Sequence, residues 1–406
     1  MKQYLKKFRF GWKLFTLLFL TAVTFSYAMF QGGFVSWFLF YSFSPFAGYS
    51  LLLSFYPIRS FLVKRTINQE QFSVGEKLVG TITIQRSIPF PLFYLIIEDV
   101  VPKKLKESEM VVEPKKLLFP WFKRTFTFQY VLNDIPRGEH RFSSIRVRTG
   151  DLFGLIEKEH IYEVENYFLV YPKYVDLIYR QHQKQFEQGS TSSRAKFVQD
   201  TTMAVGIREY QPGDRFSWID WKATARRDSI MTKEFEQMQS HDVVIVMDRA
   251  QTVVFEGIVT FTASLVRAVL KKGTQVGFVS VGEDKAVFPL HSNEQHLQRI
   301  YYHLAKVSCD TKKSLSEVLD KEKHNWQGRQ VTTMIVTGHL PIDFVRRLEL
   351  SSGNQQSNLI FLMKDRYGKV SNEEKVMIDR LRKQRVYIKV VFEGQYANAF
   401  NEVSGS

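Results

Sequence analysis

The densest run of chemically capable residues lies between residues 206 and 236. Arg208-Glu209-Tyr210-Gln211-Pro212-Gly213-Asp214 is followed by Trp218-Ile219-Asp220-Trp221-Lys222-Ala223-Thr224-Ala225-Arg226-Arg227 and by Lys233-Glu234-Phe235-Glu236. Carboxylates and guanidiniums alternate with Tyr210, Trp218 and Trp221, so the ions sit partly against aromatic surface and need partners. Arg208, Arg226 and Arg227 can pair with Glu209, Asp214, Asp220 or Glu234. Gln211 to Asp214 suits a type II turn, because Pro212 presets the first central φ and Gly213 accepts the positive second one. Three chemistries fit this pattern. It is an ion-pair and turn network that locks the segment to its neighbour, a docking surface for a partner, or a hydrolytic carboxylate pair, Asp214 and Asp220, assisted by Arg208 or Arg226. The motif holds no His, Cys or Ser nucleophile beside a base. The expectation is therefore a non-catalytic segment. Arg208, Glu209, Tyr210, Pro212, Gly213, Asp214, Asp220, Trp221, Arg226 and Glu234 would hold structure or bind a partner.

The rest of the sequence narrows the field. Cys309 is the only cysteine among 406 residues, which excludes an intramolecular disulfide and a four-cysteine zinc site. There is no Walker motif, no phosphate-cradling glycine-rich loop and no Cys/His metal spacing. Lys and Arg number 56 against 41 Asp and Glu, a net charge of +15, which suits nucleic acid or an anionic membrane. Residues 1–65 carry eight basic and no acidic side chains. More than half of the excess therefore flanks one apolar region, and no basic recognition helix or RNA-binding aromatic motif is present. The partner this implies is a lipid bilayer and not nucleic acid.

Stepping outward from the motif, the first element is that apolar region. Leu14 to Ile58 is 45 residues without a charge, enough for two spans of about 20 residues and a turn. Gln31-Gly32-Gly33 is the expected turn, between spans Leu14–Phe30 and Phe34–Tyr56. A cleaved signal peptide fits less well, because a second span follows after three residues and no small-x-small cleavage site intervenes. Lys2, Lys6, Lys7, Arg9 and Lys13 precede the spans and Arg59, Lys64 and Arg65 follow them. Both flanks, and hence both termini, are expected in the cytoplasm of a multi-pass protein of the cell membrane.

Residues 66–175 read as a small β-sandwich. Trp121–Leu132 alternates apolar and polar residues with period two, Arg124 being the one exception on the apolar face, and Lys77–Gln85, Leu92–Val100, His140–Arg148 and Tyr167–Tyr171 are further strands between Gly- and Pro-containing turns. Residues 176–205 form a polar linker, 206–240 the charged motif, and 241–406 an α/β domain. In that domain Asp242–Met247, Gln275–Val281, Lys285–Pro289, Val331–Val336, Leu359–Met363 and Val386–Phe392 read as strands. Gly257–Lys271 reads as a helix, and Ser292 with Gln295 as the capping box of another. Such alternation implies a mostly parallel, doubly wound sheet.

The arrangement Arg208 to Asp214, Ile219 to Arg226 and Lys233 to Glu236 resembles the signature of the domain of unknown function 58 family. Arg137-Gly138, Gly150-Asp151-Leu152-Phe153-Gly154-Leu155 and the two-helix N-terminus are similar to it as well. The resemblance implies a membrane-anchored cytoplasmic protein with a von Willebrand factor A-like domain, associated with MoxR-type AAA+ ATPases. A domains carry an Asp-x-Ser-x-Ser metal motif after their first strand, whose oxygens suit Mg²⁺. Here Asp248 and Thr252 match, Ala250 offers no oxygen, and Thr337-Gly338-His339 stands where a further Asp is expected. The site therefore reads as degenerate, with no cofactor. The expected function is a membrane-anchored adaptor or scaffold that binds a protein partner such as an AAA+ ATPase in assembly or maturation of envelope complexes. Metal-dependent ligand binding and a carboxylate hydrolase are the alternatives.

Overall fold

The computed structural model describes residues 2–102, 104–105, 110–179, 204–211, 214, 216–227, 229–235, 242–310, 331–351, 358–384 and 386–400. The chain forms two compact units, Met1–Lys173 with Leu304–Val307, and the remainder from Tyr174 on.

In the first unit the uncharged stretch folds as helices α1 (Lys2–Gln31) and α2 (Phe34–Phe55). Gly32 joins them at φ +61°, a left-handed conformation that costs glycine little. Gly11–Gln31 and Phe34–Phe55 are long and apolar enough to cross a membrane, and Pro45 lies inside α2.

Nine strands follow: β1 (Leu62–Ile67), β2 (Gln71–Ser73), β3 (Leu78–Gln85), β4 (Leu95–Asp99), β5 (Met110–Val112), β6 (Lys115–Leu118), β7 (Thr125–Leu132), β8 (Gly138–Gly150) and β9 (Glu157–Tyr171). They make two sheets, β1-β3-β7-β5 and β2-β9-β8-β4-β6. The sheets share one core that contains Leu78, Ile82, Ile84, Leu95, Ile97, Phe128, Phe142, Val147 and Phe168. Period-two burial along β3 and β4 builds this sandwich. Two boundaries differ from the sequence reading. Trp121 and Phe122 precede β7 in a loop, because Trp121 has φ +47°. Tyr167–Tyr171 is only the end of the longer β9, whose outer part is half-exposed and lacks an apolar run.

A buried polar cluster joins the two sheets. Arg65 and Asp99 form an ion pair with both side chains 0% exposed, Arg65 Nη1 donates to the Val164 carbonyl at 2.7 Å, and Tyr130 Oη donates to Asp99 Oδ2 at 2.6 Å. A Cβ on Gly80 would lie 2.2 Å from the Tyr130 ring, so the tyrosine reaches Asp99 only across a residue without a side chain.

In the second unit, β10 (Ala204–Glu209) and β11 (Met231–Phe235) form an antiparallel hairpin. A six-stranded sheet contains β12 (Asp242–Asp248), β13 (Val276–Val281), β14 (Ala286–His291), β15 (Val331–Thr337), β16 (Asn358–Lys364) and β17 (Tyr387–Phe392). Its order is β14-β13-β12-β15-β16-β17, parallel throughout except for antiparallel β14. The sheet is therefore mixed. β12 and β13 are buried along their whole length except Asp242, as central strands covered on both faces must be. Helix α4 (Phe255–Lys271) buries residues around most of its circumference. Helix α5 (Glu294–Lys306) buries Leu297 and Ile300. Its cap differs from the expected Ser292 box. His296 N–H donates to Asn293 Oδ1 at 2.9 Å, so the N-cap is one residue later. A capping box is present instead at Ser371 and Glu374 of the last described helix, Asn372–Lys383.

The sequence-assigned linker from 176 begins on this unit. Val175 N–H donates to Ser264 Oγ at 2.9 Å, and the buried Tyr179 meets Phe400 edge-on at 5.5 Å. Residues 180–203 lie outside the described residues.

Candidate functional site

The charged motif is carried by the β10–β11 hairpin. From β10, Arg208 Nη2 donates to Asp214 Oδ1 at 2.7 Å. The other Asp214 oxygen accepts the Gln211 N–H at 3.0 Å, and the Asp214 N–H returns to the Gln211 carbonyl at 3.0 Å. This last bond closes a four-residue turn. Pro212 and Gly213, its central residues, lie outside the described residues. The Asp214 carboxyl is held below the usual carboxylate range, by the Arg208 hydrogen bond first and the Gln211 N–H second. It is an ionised structural acceptor at neutral pH and a poor general acid.

Asp220 has a different task. Its Oδ1 accepts the N–H groups of Lys222 and Ala223 at 3.1 and 3.0 Å, capping the one-turn helix α3 (Trp221–Thr224). Thr224 Oγ1 donates to the Asp220 carbonyl at 2.9 Å and accepts the Met231 N–H at 3.0 Å. That hydroxyl ties α3 to β11. The two carboxylates that could form a catalytic pair are thus each committed to local backbone, and Arg226 and Arg227 are exposed. Glu209 is exposed, and Glu234 pairs its backbone with Gly206. Of the three aromatics expected against the ions, Tyr210 and Trp218 are half-buried and Trp221 is not. Tyr210 stacks on Phe216 at 6.1 Å, but Phe216 and Trp221 are 78% and 69% exposed.

The second candidate lies where β12 and β15 end side by side. In a 3-2-1-4-5-6 order this is the point at which the chain switches direction across the sheet, where open α/β sheets take ligands. Buried Asp248 accepts the Ala250 N–H through Oδ1 at 2.9 Å, and its Oδ2 lies 2.8 Å from Thr337 Oγ1. His339 Nδ1 stands 4.0 Å from the same oxygen. A Cβ on Gly338 would lie 2.9 Å from Thr252 Oγ1, so Thr252 packs on the turn after β15. Arg249 turns away: Nε donates to the Ser308 carbonyl at 3.1 Å, Nη1 to the Asp284 carbonyl at 3.0 Å, and Nη2 to Asp310. It buttresses the neighbouring loops and does not face Asp248.

A family model, Protein of unknown function DUF58, matches residues 206–384. The "Uncharacterized protein YeaD" of Bacillus subtilis (strain 168) is 41% identical over 387 residues, covering 95% of this chain and 96% of its own. The chain belongs to the DUF58 family. Solved structures align weakly. They include the β-glucosidase EmGH1 from Erythrobacter marinus (14% identity, 27% of this chain and 15% of that chain, TM-score 0.15). Another is Spo0M, sporulation control protein, from Bacillus subtilis (13%, 27% and 49%, TM-score 0.14).

The DUF58 match begins at the β10–β11 hairpin and runs through the strand-end site, so both candidates fall inside it. Of the motif residues, the structure joins Arg208 to Asp214 and Asp220 to its own helix, and leaves Trp221 and Arg226 on the surface. The Thr337 hydroxyl was missed as a partner of Asp248. The only signal for it was a small polar residue directly after the apolar run Met334-Ile335-Val336.

Proposed function

We propose that this DUF58 protein is a membrane-anchored adaptor. The helices α1 and α2 span the cell membrane, both termini face the cytoplasm, and the second unit binds a protein partner through the β10–β11 hairpin. The basic residues on both flanks support that orientation. The observation that carries the docking role is the exposure of Phe216 and Trp221 beside Asp214 and Asp220, whose hydrogen bonds hold the local turn and helix α3. A segment that presents large aromatics beside Lys222, Arg226 and Arg227 has the composition of a binding surface. The strand order with an antiparallel third strand supports a von Willebrand factor A-like reading of the six-stranded domain. The family resemblance makes a MoxR-type AAA+ ATPase the first partner to test.

Magnesium-dependent binding is the weaker reading. Among the described residues Asp248 is the one carboxylate in the turns 248–252 and 337–339 after β12 and β15, both its oxygens are engaged, and Ala250 brings no oxygen. That set does not fit an octahedral Mg²⁺ shell. The test of the adaptor reading is capture of partners by the tagged full-length protein from gently solubilised membranes, with and without Phe216→Ala and Trp221→Ala. An AAA+ ATPase recovered by the wild type and lost from the variants is the expected result. Failure to recover an ATPase or any envelope protein overturns it.

A further inference from the structure

The end of the β-sandwich nearest the membrane helices exposes an apolar rim. The strand directions place three loops there, residues 86–94, 119–124 and 151–156, beside the start of β1. Ile88, Phe119, Trp121, Phe122, Leu152 and Phe153 on these loops are all half to three-quarters exposed, a large apolar patch for one end of a sandwich.

Two of the loops, 86–94 and 119–124, are tied together. Buried Arg86 donates through Nε to the Lys123 carbonyl at 2.6 Å, through Nη1 to the Phe90 carbonyl at 2.7 Å, and through Nη2 to the Trp121 carbonyl. Trp121 holds φ +47°, a strained conformation for a bulky residue. The buried guanidinium ties these three carbonyls together and offsets the cost of the Trp121 conformation.

These loops also meet α2 well inside its apolar limit. Phe153 packs edge-on against Phe46 at 5.2 Å, Tyr49 stacks on Phe90 at 5.5 Å, and Ser50 Oγ donates to Asp151 Oδ2 at 2.7 Å. On α1, Lys13 Nζ donates to the Gly154 carbonyl at 3.2 Å and to Glu157 at 3.3 Å. Phe46 lies nine residues before Phe55, about 14 Å along the helix. Clear of these loop contacts the helices run from Leu14 to Gln31 on α1, about 27 Å, and from Phe34 to Pro45 on α2, about 18 Å, so on α2 the clasped turns fall within the roughly 30 Å of a hydrocarbon core.

We infer that this end of the sandwich is seated in the membrane interface: the loops around Trp121 and Phe153 dip among the lipids, and the last turns of α2 are clasped by protein instead of hydrocarbon. Trp12, exposed beside Lys13, completes an aromatic belt with Trp121. Arg59, Lys123 and Arg124 are exposed around the rim, so the surface fits anionic headgroups. The inference rests on the reading that α1 and α2 span a bilayer.

Full-length protein carrying Cys309→Ser and one nitroxide-labelled cysteine tests it in vesicles of phosphatidylcholine and phosphatidylglycerol. The positions are Phe122→Cys and Phe153→Cys on the rim, Tyr27→Cys in α1, and Glu76→Cys at the opposite end of the sandwich. Oxygen-to-nickel-chelate collision ratios at 122 and 153 are expected severalfold above that at 76 and to approach that at 27. Values at 122 and 153 equal to 76, with 27 in lipid, overturn the seating and leave the spans intact. A water-accessible 27 overturns the spanning reading itself.

Discussion

Arg208 and Asp214 face each other across the turn of the β10–β11 hairpin, with Nη2 2.7 Å from Oδ1. The strand supplies the cation, the turn supplies the anion, and the remaining carboxylate oxygen holds the Gln211 N–H. The hairpin therefore keeps its shape by its own contacts and can present Phe216 and Trp221 outward.

The pH dependence of that pair has a definite sign. The Asp214 carboxyl is lowered in the folded chain from 3.8. Its contribution is present above the unfolded value and is lost as pH falls through the folded one. Thermal scans of Asp214→Asn and wild type should differ by a constant amount at neutral pH and converge below about pH 4. An unchanged gap at low pH would contradict the assignment.

Removing Arg65 leaves Asp99 buried without its cation. Burial already pushes the Asp99 carboxyl up against the lowering effects of Arg65 and Tyr130. Arg65→Met is expected to cost about 3–5 kcal/mol. Arg65→Met with Asp99→Leu should be markedly milder, because no lone charge remains. Chemical unfolding of both variants in detergent separates the cases.

Gly80 and Tyr130 should behave as a coupled pair. A Cβ at Gly80 collides with the tyrosine ring, so Gly80→Ala should cost roughly 1–3 kcal/mol. Tyr130→Phe removes only the hydroxyl, at about 1–2 kcal/mol. Gly80→Ala has already displaced that hydroxyl, so the double variant should fall short of the sum. A double-mutant cycle by thermal unfolding is the measurement.

Thr337 is the nearest side-chain donor to Asp248 among the described residues. Thr337→Val should lower stability by about 1–3 kcal/mol by leaving a buried carboxylate oxygen unsatisfied. Thr337→Asp sets two carboxylates together and raises the pKa of one. That variant should melt lower at pH 7 than at pH 5, a trend absent from Thr337→Val.

Phe216→Ala and Trp221→Ala should leave the melting temperature nearly unchanged, within about 0.5 kcal/mol for exposed positions. A large loss of stability in either would mean that the aromatic is a packing residue and not a docking one.

Local pattern and local spacing made much of this protein legible. An uncharged stretch of 45 residues broken by Gly32 and Gly33 reads as a pair of apolar helices. Period-two alternation in Thr125–Leu132 and the continuous apolar runs of β12 and β13 carry their own assignment. The charged motif was legible as a self-contained network, because Arg208 and Asp214 are six residues apart and meet through one turn. Trp221 was not: an aromatic beside charges reads as half-buried, and only the position of α3 puts it in solvent.

What the sequence alone determined is the pair of apolar helices, the main strands on either side of the charged motif and the basic charge that flanks those helices, all set by neighbours along the chain. Tertiary structure decided the contacts between residues far apart in sequence. It put Tyr130 across Gly80 onto Asp99, brought Thr337 to Asp248 over 89 residues, and placed Phe153 against Phe46. Such contacts depend on strand order and register, which distant segments set together. The sandwich thereby takes hold of helix α2 inside a stretch that composition alone assigns to lipid.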